Sequence, residues 1–245
     1  MFRVLNPFRD RRQAKPPQLE IAVAPPPPAP LPEGKPGNFG EVWNRPHANI
    51  DWFTWMYNAR IEQHQAFQQW FKSVDREQRI ESVLEFGCGL GVGYADFFAD
   101  RAYAGTDIAP LLMEWCRANR HNALHTYLAC DFVAHPFPDQ YDLVFSHGTI
   151  DNNYDMDEFL RAAVRASRRW VFITAYRGYF SELANHRLEW RETDGCYYND
   201  LSPSRAVAVL KEAGCSEVAI VPSFTGRKEI PYETMIVARV GQVSP

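Results

Sequence analysis

From residue 80 onward, short apolar runs alternate with amphipathic ones. The runs at 80–86, 102–107, 125–129, 141–146 and 170–174 read as strands. The segments at 93–98, 110–119, 157–166 and 203–213 place apolar residues at helical spacing. Strands separated by helices call for βαβ units, and so for a parallel sheet with helices on both faces. The end of the chain breaks this rhythm. Residues 218–221 and 234–240 read as two strands joined by a loop at 222–233, with no helix between them. The expected fold is therefore α/β and doubly wound: a mostly parallel, seven-stranded sheet with a C-terminal antiparallel hairpin.

Ahead of residue 80 the pattern differs. Residues 38–79 are dense in aromatics, among them Phe39, Trp43, Trp52, Phe53, Trp55, Phe67, Trp70 and Phe71. From Tyr57 on, Tyr57, Ile61, His64, Phe67 and Phe71 recur at helical spacing, which predicts an amphipathic helix packed on the main domain. These aromatics either fill the core or wall a pocket. Residues 1–37 hold ten of the eighteen prolines, a composition that favours extended chain and cannot bury a core. The chain thus divides into a disordered Pro-rich tail (1–37), an aromatic helical segment (38–79) and a main domain (80–245).

Composition narrows the class. The 245 residues, 46% of them hydrophobic, suffice for one sizeable core. A net charge of -4 argues against nucleic-acid binding by bulk electrostatics. The five cysteines are widely spaced and include no Cys-x-x-Cys pair, so neither a disulfide framework nor a zinc site is expected. Reduced thiols and a cytoplasmic location fit them best. No apolar stretch is long enough to span a membrane, and residues 1–15 lack the apolar core of a secretory signal. The tail is either a plain spacer or a contact for a partner or a membrane surface, through Phe2, Val4, Leu5, Phe8 and its arginines.

The chemistry concentrates at Glu85-Phe86-Gly87-Cys88-Gly89-Leu90-Gly91. A strand runs here into a loop with glycine at every second position, and a helix follows. Such a loop lets a ligand approach the backbone closely, and the helix start offers free N–H groups. A nucleotide-type cofactor is the expectation. The spacing is G-x-G-x-G. The dinucleotide fingerprint G-x-G-x-x-G would need its third glycine at Val92.

These residues resemble motif I of class I S-adenosylmethionine-dependent methyltransferases, and the closing hairpin is also characteristic of that Rossmann-like family. Three further matches extend the resemblance over about residues 80–240. Tyr103-Ala104-Gly105-Thr106-Asp107-Ile108 places an acid at the end of the second strand. The resemblance implies that Asp107 receives the ribose hydroxyls and Ile108 lies against the adenine. Ala129-Cys130-Asp131-Phe132 follows the third strand; by resemblance Asp131 accepts from the adenine amino group and Phe132 covers the ring. Tyr141-Asp142-Leu143-Val144-Phe145-Ser146-His147-Gly148 resembles the fourth strand and its exit, which puts Ser146 and His147 beside donor and acceptor. Glu85, Phe86, Gly87, Cys88, Gly89 and Gly91 complete the implied cofactor set, with Glu85 near the cationic end of S-adenosylmethionine.

The methyl acceptor is less legible. His147 is either a general base toward a hydroxyl or amine acceptor or a structural histidine. Asp151 and Asn152 either bond a polar acceptor or, with Asn153, cap the helix near Asp157. Residues 176–200, including Tyr176, Arg177 and Tyr179, form a polar–aromatic insertion that either walls an acceptor pocket or packs as an ordinary surface element. Arg161, Arg165 and Arg168 share one helical face and read as solvated. The fifth strand's exit lacks the carboxylates that would hold magnesium, so no metal is expected. The expected activity is methyl transfer to oxygen or nitrogen of a small polar molecule such as a sugar, without nucleic acid. A non-catalytic cofactor-binding subunit and a nicotinamide-dependent oxidoreductase are the alternatives.

Overall fold

The computed structural model describes residues 36, 39–44, 49–225 and 230–241. The expectations for the Pro-rich tail, Pro36 apart, lie outside these residues.

Two helices precede the sheet, α1 (Ile50–Ala59) and α2 (Ile61–Gln78). Asn49 caps α1 by accepting a hydrogen bond from Trp52 N at 3.0 Å. The single helix expected from Tyr57 to Phe71 is broken at Arg60, whose backbone leaves the helical region at φ -125° and ψ 28°. No glycine or proline marks that break. It turns the chain so that α1 lies across the glycine loop while α2 packs on the sheet.

The main sheet has the order β3 (His125–Ala129), β2 (Ala102–Asp107), β1 (Ser82–Phe86), β4 (Tyr141–His147), β5 (Ser167–Ala175), β9 (Tyr232–Val240), β8 (Cys215–Phe224). The first five strands run parallel, and β9 is antiparallel to both β5 and β8. This is the doubly wound architecture with its closing hairpin. Short helix α3 (Tyr94–Phe97) follows the glycine loop. Helix α4 (Pro110–Asn119) starts with proline at its first position, where no N–H is needed. Helices α5 (Met156–Arg165) and α6 (Pro203–Glu212) begin at Asp155 and Ser202, whose side chains accept from Glu158 N and Arg205 N. A small hairpin, β6 (Trp190–Arg191) and β7 (Cys196–Tyr197), sits within the 176–200 insertion.

Several element bounds differ from expectation for local reasons. Ile80 donates its N–H to Asp75 Oδ1 at 2.7 Å, so it belongs to the turn after α2 and β1 starts at Ser82. Arg168 lies in β5, not on the helix with Arg161 and Arg165. There it meets Asp142 at 3.2 Å, a carboxylate buried between β1 and β4. The closing hairpin is longer than read, because Pro222 is accommodated in β8 opposite Thr234. β8 is the sheet's edge strand, the kind of strand that tolerates proline because half of its N–H groups face away from the sheet.

Aromatic layers fill both faces. On the side of α5 and α6, Phe86 stacks on Phe132 with ring centres 4.7 Å apart. On the other, Phe67 of α2 stacks on Phe145 at 4.8 Å and meets Phe172 edge-on, with Trp70 and Phe71 alongside. Each fully buried phenylalanine stabilises by roughly 1.5–3 kcal/mol. Helix α2 therefore shares one core with the sheet.

Candidate cofactor and acceptor site

The site lies at the carboxyl ends of the parallel strands, where open α/β sheets place their ligands. The glycine loop leaves β1 as a tight hook. Gly87 N and Cys88 N both donate to Thr106 O, at 2.8 and 2.9 Å, which ties the loop to β2. Gly87, Gly89, Gly91 and Gly93 all have positive φ. Gly89 shows why a side chain is excluded. With φ 54°, a Cβ there would meet the Phe53 ring at 2.3 Å. One turn along, Tyr57 lies as close to Gly93, 2.2 Å from the equivalent position. Helix α1 is thus the roof of the loop. Beside it, Gly40 packs against Ile108, and Phe39 meets Tyr154 edge-on at 5.1 Å.

Carboxylates line the floor. Asp107 is buried at the end of β2 and accepts from Gly89 N and Ala109 N, each at 3.0 Å. Burial pushes its pKa up, and those backbone bonds oppose the shift. Glu85 is buried, 4% exposed, and accepts a hydrogen bond from the Tyr103 hydroxyl. Burial raises its carboxyl to about 8; the Tyr103 bond opposes this and the Asp107 charge adds to it. Asp131 receives the Tyr154 hydroxyl at 3.0 Å. The loop's N–H groups at Gly87, Cys88 and Gly89 are thus held by Thr106 O and Asp107, and Phe86 and Phe132 stack within the core beneath it. Cys88 buries its thiol between Gly89 O and the Met113 sulfur, 3.7 and 3.8 Å away. Ser146 spends its hydroxyl on Phe86 O at 2.8 Å, as a strut between β4 and β1.

At the exit of β4 stands His147, with both ring nitrogens engaged. Nε2 lies 2.7 Å from the Tyr94 hydroxyl and Nδ1 3.1 Å from Thr174 Oγ1. Burial, then His64 and Arg60, hold its pKa well below the ordinary range. Asp151 is fully buried and braces the turn after β5, accepting from Tyr176 N and Arg177 N at 2.9 and 3.2 Å. Burial lifts it to about 7 against those bonds and the Arg60 charge. The helix cap is Asp155, not Asp151 or Asn152. Asn152 donates to the Tyr176 hydroxyl at 3.1 Å and to Tyr197 O at 2.6 Å. Over Tyr176 lies the Arg60 guanidinium, 4.5 Å from the ring centre and 3.9 Å from Glu233 Oε1. Arg177 pairs with buried Asp200 at 3.3 Å. Tyr179 packs instead against the core on the α5–α6 side. Among the described residues, no group of three or more His, Cys, Asp or Glu side chains is arranged to hold a metal ion. No described helix is long and apolar enough to cross a membrane.

Sequence reasoning singled out no role at this site for Arg60, Tyr94, Thr174 or Glu233, and took His64 as a face-setting residue. Their only signal was the aromatic density before residue 72 and a tyrosine directly after the glycine loop.

Residues 84–170 match the family described as a methyltransferase domain. No curated protein matches the chain in sequence. Solved structures share its fold. N-methyltransferase NodS from Bradyrhizobium japonicum WM9, in complex with S-adenosyl-L-homocysteine, superposes with a TM-score of 0.60 at 15% identity, covering 84% of this chain and 100% of its own. Magnesium protoporphyrin IX methyltransferase from Synechocystis PCC 6803, with bound S-adenosylmethionine, gives 0.56 at 11% identity over 82% of this chain and 88% of its own. The N-terminal domain of EvdMO1, in the presence of S-adenosylhomocysteine and D-fucose, gives 0.53 at 15% identity over 74% and 82%. The matched stretch is a methyltransferase domain, and the fold around it is the one these solved S-adenosylmethionine-dependent methyltransferases share. Residues 84–170 are thus a methyltransferase domain, a kind of domain whose methyl donor is S-adenosylmethionine. The nicotinamide and non-catalytic alternatives gain nothing from these matches.

Proposed function

We propose that this methyltransferase alkylates an oxygen or nitrogen of a small polar acceptor, a sugar or similar metabolite, entering between the α1–α2 junction and the turn after β5. The observation that carries this reading is the cluster at the exit of β4. Arg60, Asn152 and Tyr176 gather there around Gly148, where a Cβ would lie 2.6 Å from Arg60 Nη1. Buried polar groups of this kind recognise hydroxyls and amides by hydrogen bonding and discriminate against apolar molecules. The presence of D-fucose with the EvdMO1 domain supports a sugar, and NodS supports an amine.

S-adenosylmethionine brings an already activated methyl group, so the chain mainly aligns and desolvates. In this reading Asp107 takes the ribose hydroxyls, with Ile108, Asp131 and Phe132 around the adenine. Glu85 sits near the cationic end, and the backbone of Phe86–Gly91 wraps it. Helix α1 closes over the loop through Phe53 and excludes water. His147 takes the acceptor's proton, with Thr174 the neighbour it exchanges for the acceptor or relays through. Asp151 and Asn152 hold Tyr176 and Arg177 at the mouth.

The test is a metabolite-extract screen with isotopically labelled donor, followed by mass spectrometry of the product. A labelled, water-soluble small molecule is expected; label appearing only in protein or nucleic acid overturns the acceptor class. A His147→Ala variant with wild-type turnover from pH 6 to 9 overturns the assignment of the base.

A further inference from the structure

Behind His147 lies a buried polar chain that the cofactor loop does not use. The Tyr94 hydroxyl of α3 stands 2.6 Å from His64 Nδ1 on α2 and 2.7 Å from His147 Nε2 on β4. His147 Nδ1 continues the chain to Thr174 Oγ1 of β5, at 3.1 Å. Tyr57 stacks on His64 with ring centres 4.0 Å apart, and Phe67 sits edge-on to both His147 and Tyr94. The groups facing the chain are Arg60 at the α1–α2 junction (itself opposite Glu233 of β9), Glu85 of β1 and Tyr57 of α1. Burial and Arg60 keep both imidazoles neutral, His64 down to about 3.

The arithmetic of protons couples the two rings. A phenol has one hydrogen to give. With both imidazoles neutral, Tyr94 donates to one facing nitrogen and must accept an N–H from the other. One of His64 Nδ1 and His147 Nε2 therefore carries hydrogen and the other does not. We propose that His64 and Tyr94 are positioning residues that hold His147 as its Nε2–H tautomer, leaving Nδ1 to take a proton on the acceptor side. This rests on His147 being the proton acceptor of the reaction.

Nitrogen NMR of the full chain with 15N-labelled histidine tests this without donor or acceptor. In the wild type, the His147 ring is expected to show a protonated Nε2 and a bare Nδ1, without titrating between pH 5.5 and 8.5. Tyr94→Phe keeps the ring and removes the link, and should shift His147 to a mixture of tautomers. His64→Leu should do the same with Tyr94 intact, which covers a Tyr94→Phe variant that fails to fold. His64→Asn, whose amide oxygen can still accept from Tyr94, should restore the wild-type pattern. A wild-type Nδ1–H tautomer, or a pattern unmoved by both Tyr94→Phe and His64→Leu, overturns the proposal. Failure of the methyltransferase reading would show separately, as absence of S-adenosylhomocysteine binding.

Discussion

Phe53 lies over Gly89 so closely that a Cβ on the glycine would fall 2.3 Å from the ring. The pair joins the aromatic segment before the sheet to the loop that carries the cofactor motif. Helix α1 is thereby part of the site rather than an appendage to it.

Gly89→Ala follows directly. The added methyl meets the Phe53 ring and must also be held at φ 54°, a conformation that costs a residue with a Cβ. The expected result is a loss of affinity for S-adenosylhomocysteine of about tenfold or more, about 1.4 kcal/mol. Calorimetry measures it. Phe53→Ala in the same chain should recover part of the loss, because it removes the clash and leaves only the backbone strain.

Binding should depend on pH through Glu85. Its carboxyl, at about 8, is largely protonated at pH 6.5. If it serves a cationic ligand, it must ionise on binding and release a proton. Affinity for the product should then rise with pH, approaching tenfold per unit below about 8 and levelling above it. Titrations in buffers of different ionisation enthalpy would read the released proton. Glu85→Gln should flatten the profile.

Asp151 makes a structural prediction. Its two oxygens accept from Tyr176 N and Arg177 N, and an amide can accept with only one of its atoms. Asp151→Asn should leave one buried N–H unpaired and cost about 1–3 kcal/mol, read as a lowered denaturation midpoint. The native carboxyl is raised to about 7 by burial, so its ionisation works against folding as pH climbs from about 4 to 7. The deficit of the variant should accordingly be larger at pH 5 than at pH 8.

Much of this was legible in the chain. The bounds of β2, β3 and α4 follow from apolar runs and from Pro110 at a helix start. The glycine loop and its acids declare themselves by spacing. What stayed hidden depends on contacts distant in sequence. The break at Arg60 carries no local signal, and its side chain has a destination only once Tyr176 and Glu233 are beside it. Asp151 looks like a surface residue until two backbone donors from β5's exit enclose it. His64, Tyr94 and His147 lie on three elements, 30 and 53 residues apart, and no periodicity could pair them. Arg168 was misplaced because its partner, Asp142, belongs to another strand.

The most direct measurement is a calorimetric titration of the full chain with S-adenosylhomocysteine, for the wild type and for Asp107→Ala. The account predicts one molecule bound per chain, a weakening of about tenfold or more in the variant, and no heat from NADH. Unchanged affinity in Asp107→Ala would contradict the placement of the cofactor.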